Sequence, residues 1–125
     1  MVLTQTLSEC PASEQKITVK IDRRTPRSTF DTFTRAVLKG QPDALWAVLD
    51  TPLRNRFKSQ VRQDGEEPLL RKLENLITNP HGLLRLGEEQ SVGDQVFCPL
   101  MRAGHRIGTA TFRFDNLGWS LAALA

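Results

Sequence analysis

The sequence predicts an α+β fold, with N-terminal helices packed on an antiparallel sheet. Three observations carry that expectation. Apolar residues recur at helical spacing through the first two thirds of the chain, alternating segments broken by turns fill the last third, and helices precede strands throughout. A block of helices followed by a meander argues against the interleaved order of a parallel sheet.

The 125 residues suit one domain. Composition divides them into an N-terminal arm over 1–25 and a globular part over 26–125. In the arm, "KITVKID" puts Ile17, Val19 and Ile21 on one face, the period of a strand at a sheet edge or of a loosely held arm. Pro26 and Ser28 announce the first helix. Ser28 is expected to cap it, Asp31 to favour its first turn, and Gly40 to stop it, while Phe30, Phe33, Val37 and Leu38 fall at helical spacing. Pro42 opens a second helix with Leu45, Trp46 and Leu49 on its apolar side. Thr51 and Pro52 restart the pattern as cap and first helical residue, with Leu53, Phe57 and Val61 inward. After "QDGEEP" comes the clearest helix. Its stripe of Leu69, Leu70, Leu73, Leu76 and Ile77 opposes Arg71, Lys72, Glu74 and Asn75, and Asn79-Pro80 is its expected end.

Four strands are expected beyond Gly82, over 83–91, 94–102, 106–115 and 118–124. The intervening "VGDQ", "RAGH" and "DNLG" carry the Gly, Asn and Asp that tight reversals need. Ala110, Phe112 and Phe114 alternate with Thr109, Thr111 and Arg113, so one face is dry and the other wetter. Pro99 cannot donate to a ladder and marks an edge or bulge, and Gly108 permits a kink. The closing "GWSLAAL" puts Trp119, Leu121 and Ala123 on one face. The second strand is apolar on both sides, with Val96, Cys98 and Leu100 opposite Phe97 and Met101, and Ile107 aligns with Thr109 and Thr111. Helices cover only one face of a sheet, so the pattern predicts a homodimer through the other.

Composition narrows the function classes. Hydrophobic and charged fractions of 39% and 25% are those of an ordinary globular chain. No apolar run approaches the ~20 residues of a membrane helix, and "MVLTQTLSEC" lacks a basic, then apolar, leader. Those features predict a cytoplasmic protein. Cys10 and Cys98 have neither zinc nor redox spacing, and Cys98 reads as a buried thiol. The net charge of +3 draws on Lys16, Lys20, Arg23, Arg24 and Arg27, then on Arg54, Lys58 and Arg62 at a spacing of four. Acidic Asp64, Glu66 and Glu67 follow at once and no aromatics are interleaved, so a solvated helix face is favoured over nucleic-acid binding.

The capped "STFDTFTRAVLKGQPDALWAVL", a further helix, and antiparallel strands ending in "LGWSLAAL" resemble the nuclear transport factor 2-like superfamily over residues 28–125. That is the cone-shaped α+β fold shared with ketosteroid isomerase and polyketide-cyclase-like proteins. The resemblance implies a strongly curved sheet around the helices, with an apolar pocket between them. Ketosteroid isomerase relatives set a carboxylate base in such a pocket and polarise a carbonyl with phenolic or protonated donors. This chain contains no tyrosine, and its first 25 residues have no counterpart in the family.

Candidate acids and bases are Asp31, Asp43 and Asp50 at helix starts, Glu88, Glu89, Asp94 and Asp115 near strand turns, and His81 and His105 in loops. Capping and dipole placement account for the helix acids, and solvation accounts for the rest. No nucleophile elbow, phosphate loop, metal spacing or cofactor motif is present in the sequence. Trp46, Phe57, Phe97, Phe112, Phe114 and Trp119 can either ring one apolar cavity as ligand-binding residues or simply form the core. The favoured reading is a non-catalytic domain binding an apolar small molecule or a protein. The alternatives are a pocket enzyme of isomerase or dehydratase type using an Asp or His, and weak nucleic-acid binding.

Overall fold

Thr25 and Ser28 start the first helix together. The Ser28 amide donates to the Thr25 hydroxyl at 3.0 Å and the Thr25 amide to the Ser28 hydroxyl at 2.9 Å, which satisfies two orphan donors reciprocally. Pro26 fills the first helical position, where no intrahelical bond is lost, and α1 runs Pro26–Leu38. The cap is therefore Thr25 rather than Ser28. Asp31 falls in the second turn, where it pairs with Arg35 at 3.1 Å. The computed structural model describes residues 19–78 and 82–124, so Cys10, Lys16, Ile17, Asn79, Pro80 and His81 lie outside the described residues.

Helix α2 spans Pro42–Val48, α3 Thr51–Asp64 and α4 Glu66–Ile77. The N-cap of α3 is Asp50, one residue before the expected Thr51. Its carboxylate makes no capping bond and meets Arg113 instead, at 3.2 Å. Only Gly65 separates α3 from α4. Its φ of 91° lies in the left-handed region that a side chain disfavours, and it lets the chain turn sharply. On α4, Leu69, Leu73 and Ile77 are buried and Leu70 and Leu76 pack partly exposed against the core. The expected stop at Asn79-Pro80 lies outside the described residues, and α4 ends at Ile77 with Thr78 as its C-cap.

The strands are β1 Arg85–Leu86, β2 Gln90–Val92, β3 Gln95–Arg102, β4 His105–Asp115 and β5 Gly118–Leu124. They form one curled antiparallel sheet in which β1 and β2 both pair with β3, followed by β4 and β5. The expected strand over 83–91 is thus two. Pro99 supplies the reason: Leu86 pairs with Leu100 and Gln90 with Phe97, so the break falls opposite the one residue that has no N–H to give. Gly87 bridges the gap by donating to the Pro99 carbonyl at 2.7 Å. A Cβ on Gly87 would lie 3.1 Å from the Pro99 ring.

Two bulges bend the sheet. One shifts register between Leu100 and Met101, pairing Leu100 with Gly108 and Met101 with Arg106. Ile107 is left as the extra residue and does not continue the line of Thr109 and Thr111. The other lies between Thr111 and Phe112, where Phe112 pairs with Leu121 but Thr111 with Ala123. Trp119 and Leu121 therefore keep one face, while Ala123 moves to the opposite one and Leu124 takes its expected place.

The inner face of Val96, Cys98, Leu100, Ala110, Phe112 and Leu121 packs on Phe30, Phe33, Ala36 and Val37 of α1 and Leu45 and Val48 of α2. Both sheet edges are tied to the start of α1. At the β5 edge the Thr29 hydroxyl donates to the Trp119 carbonyl at 3.1 Å, and the Asp50 amide to the Leu121 carbonyl at 2.8 Å. The Trp119 amide donates to the Arg23 carbonyl at 2.8 Å. At the other edge Arg27 reaches the Gly87 carbonyl at 2.7 Å. These bonds satisfy, within the molecule, edge groups that would otherwise invite pairing with other chains. The described residues before α1, from Val19 on, cover the edge and form no strand. Val19 is buried while Ile21 is 47% exposed, so the two do not share a buried face.

Candidate functional site

Helices α3 and α4 meet along Leu53 and Phe57 on one side and Leu69, Leu73 and Leu76 on the other. Spacings of three and four put each set on one helix face. The two faces do not close completely. They leave a groove of about 470 Å³ whose apolar floor is completed by Leu124 at the end of β5. Its polar lining is Arg56 and Gln60 from α3, Lys72 and Asn75 from α4, and Arg102 from β3, with no carboxylate. Arg102 donates Nε to the Gly82 carbonyl at 3.2 Å and Nη2 to the Leu76 carbonyl, which fixes its guanidinium at the end of α4.

Two other depressions are more mixed in charge. One of about 410 Å³ between α1 and β1 is bordered by Arg27, Asp31 and Arg85. The other, of about 480 Å³, lies at the α1–α2 junction between Val19, Ile21, Lys39 and Asp43. The α3–α4 groove is set apart by an apolar floor and a rim of one sign.

The six aromatic residues do not converge on one cavity. Phe112 is fully buried on the inner sheet face, and Val96 pairs with it, so Phe97 next along β3 points to the outer face. Phe57 lies under the groove. Phe114 and Trp119 stack edge to face at 5.2 Å near the β4–β5 turn, where Phe114 is 51% exposed. Trp46 packs partly exposed on the core beneath Lys58, whose Nζ sits 5.5 Å from its ring.

Several members of the basic runs are engaged within the chain. Arg54 donates Nη2 to the Leu49 carbonyl at 2.8 Å and Nε to the Trp46 carbonyl at 3.2 Å, holding the C-terminal end of α2. Arg23 pairs with Asp115 and Arg24 with Asp22. The side-chain bond from Arg24 holds the Asp22 carboxyl well below the usual carboxylate range, and the Arg24 amide adds to it. Asp115 is lowered chiefly by the Leu117 amide, with burial opposing and the Arg23 charge helping.

Of the candidate acids, Asp31 and Asp50 are ion-paired, Glu89 lies 3.9 Å from Arg27, and Asp43, Glu88 and Asp94 are exposed. His105 is exposed at the start of β4, paired with Arg102 across the turn. Cys98 is a free, fully buried thiol whose pKa burial pushes up, with Glu89 adding to the shift, so it is held as the unreactive thiol. Among the described residues no cluster of His, Cys, Asp or Glu is arranged to hold a metal ion, and no helix is long and apolar enough to cross a membrane.

Sequence reasoning passed over Arg56, Lys72, Arg102 and Leu124. The signal for two of them was present: Arg56 and Lys72 each sit three residues after one apolar position and one before the next, on the flank of a buried stripe. Arg102 and Leu124 join the groove through the sheet, which no local pattern encodes. Comparison with family models, curated proteins and solved structures finds nothing that matches this chain.

Proposed function

We propose that this chain is a small, cytoplasmic, non-catalytic binding domain of the nuclear transport factor 2-like type, which holds an apolar small molecule in the α3–α4 groove. The observation that carries the reading is the groove itself: a 470 Å³ trough with a leucine and phenylalanine floor, within the roughly 300–1,000 Å³ of ligand pockets. The rival reading, an isomerase or dehydratase, needs a carboxylate whose pKa a dry pocket raises. Asp22 and Asp115 are shifted the other way, and Asp31 and Asp50 are neutralised by Arg35 and Arg113. The test uses the neutral dye Nile red. One dye should bind per chain with a blue shift, and Gln60→Trp, which fills the groove from a partly exposed position, should abolish it. Dye binding unchanged by that substitution would overturn the reading.

A homodimer through the outer sheet face is the second reading. It is favoured by the row that Phe97, Thr111 and Ala123 make across three strands, beside Pro99 and Met101 on the face away from the helices. Sedimentation at micromolar concentration should give twice 14.1 kDa. A clean monomer would reject it.

A further inference from the structure

We infer that the ligand of the α3–α4 groove is a single-chain amphiphile with a carboxylate head, in chemical class a medium-chain fatty acid. The inference rests on the groove being the binding site and adds the sign and kind of the head group. The charge pattern carries it. Elsewhere five arginines are paired with acids, Arg23 with Asp115, Arg24 with Asp22, Arg35 with Asp31, Arg71 with Glu67 and Arg113 with Asp50, while Arg54 and Arg106 are held by neutral oxygens.

The groove gathers three cations around one trough with no carboxylate among its lining residues. Arg56, Lys72 and Arg102 reach it from three different elements. Among the described residues neither the Arg56 nor the Lys72 side chain has an ion pair or hydrogen bond. Arg102 donates to two carbonyls, which uses two of its five N–H groups and leaves its full charge. Asp64 borders a neighbouring depression that Lys72 also lines, yet no ion pair joins them.

Three cations around one trough repel one another, and an anion among them relieves that repulsion. Arginine in particular offers a carboxylate two parallel donors. Gln60 and Asn75 add neutral hydrogen-bonding groups at the same rim. The floor then decides what trails the head. Leu53, Phe57, Leu69, Leu73, Leu76 and Leu124 offer apolar surface and no polar group for a second head. A nucleic-acid strand fits less well, because Phe57 is only 7% exposed and gives a base nothing to stack on.

Calorimetric titration of the full chain tests this with three ligands of one chain length: decanoate, 1-decanol and decyltrimethylammonium, each below its micelle concentration. Decanoate should bind at one site, at least about tenfold tighter than decanol, and decyltrimethylammonium should bind weakest. Raising the salt should weaken decanoate and leave decanol unchanged. The exposed pair Arg56→Gln with Lys72→Gln should bring decanoate down to the affinity of decanol, with decanol binding and the melting temperature preserved.

Equal affinity of decanoate and decanol for the wild-type chain would overturn the anionic head while leaving the apolar groove standing. If none of the three binds, both readings fall. A double variant that loses no decanoate affinity would put the head group elsewhere and overturn the assignment. Co-sedimentation with phosphatidylglycerol vesicles, in the absence of decanoate binding, would mark the rim as a membrane-facing surface and would equally overturn it.

Discussion

Arg54 and Arg62 look equivalent in the sequence, two turns apart on one basic helix face, yet the structure gives them different work. Arg54 bonds two carbonyls at the end of α2, and Arg62 is exposed. Charged donors to carbonyls at part-buried sites contribute about 1.5–3 kcal/mol. Arg54→Ala should therefore cost stability in or just below that range, read as a lowered urea midpoint, while Arg62→Ala stays within about 0.5 kcal/mol. Equal midpoints would mean that the α2 end is not held this way. The same contrast explains what single residues disclosed. Helical spacing identified the charged face, but only tertiary packing decides which of its members meets a carbonyl, an aromatic ring or water. The aromatic residues divide for a similar reason: Phe97 and Phe112 lie in neighbouring strands, and one step in the pleat sends them to opposite faces.

At the scale of elements, local chemistry was legible and non-local chemistry was not. Three turns fell where Gly, Asn and Asp put them, and α2 begins at its proline. The division of β1 from β2 was hidden because its cause, Pro99, sits on a different strand. The bulge that turns Ala123 outward likewise depends on pairing with β4. The α4 stripe offers a direct test of element packing. Leu73 is buried against the core, so Leu73→Ala should cost about 2–5 kcal/mol through the cavity it leaves. Lys72→Ala, the adjacent exposed position, should stay within about 0.5 kcal/mol. Matching urea midpoints for the two would mean that α4 does not dock through Leu69, Leu73 and Ile77. The groove was half legible at this scale, since both apolar walls were recognised as core stripes but their incomplete closure was not.

For the molecule as a whole, a sheet curled by two bulges is tied at both edges to the first turn of α1, and acid pairs secure the segment leading into it. Asp22 and Asp115 are the acids whose pKa values are lowered. A group with a lowered folded-state pKa stabilises the fold above its unfolded pKa, about 3.9 for Asp, and loses that contribution as pH falls through the folded value. Thermal stability should thus be flat above about pH 5 and decline below about pH 4. Asp22→Asn with Asp115→Asn should flatten that acid limb while lowering stability at neutral pH. An unchanged acid limb would remove these pairs from the account of the fold.

The central claim is that the space between α3 and α4 is where this domain binds. Amide chemical-shift mapping during titration with decanoate tests it most directly. Shifts are expected along Leu53 to Gln60, along Leu69 to Leu76, and at Arg102 and Leu124. Shifts centred on the outer sheet face at Phe97, Thr111 and Ala123, or on the Phe114–Trp119 pair, would contradict it, as would an unperturbed spectrum at millimolar ligand.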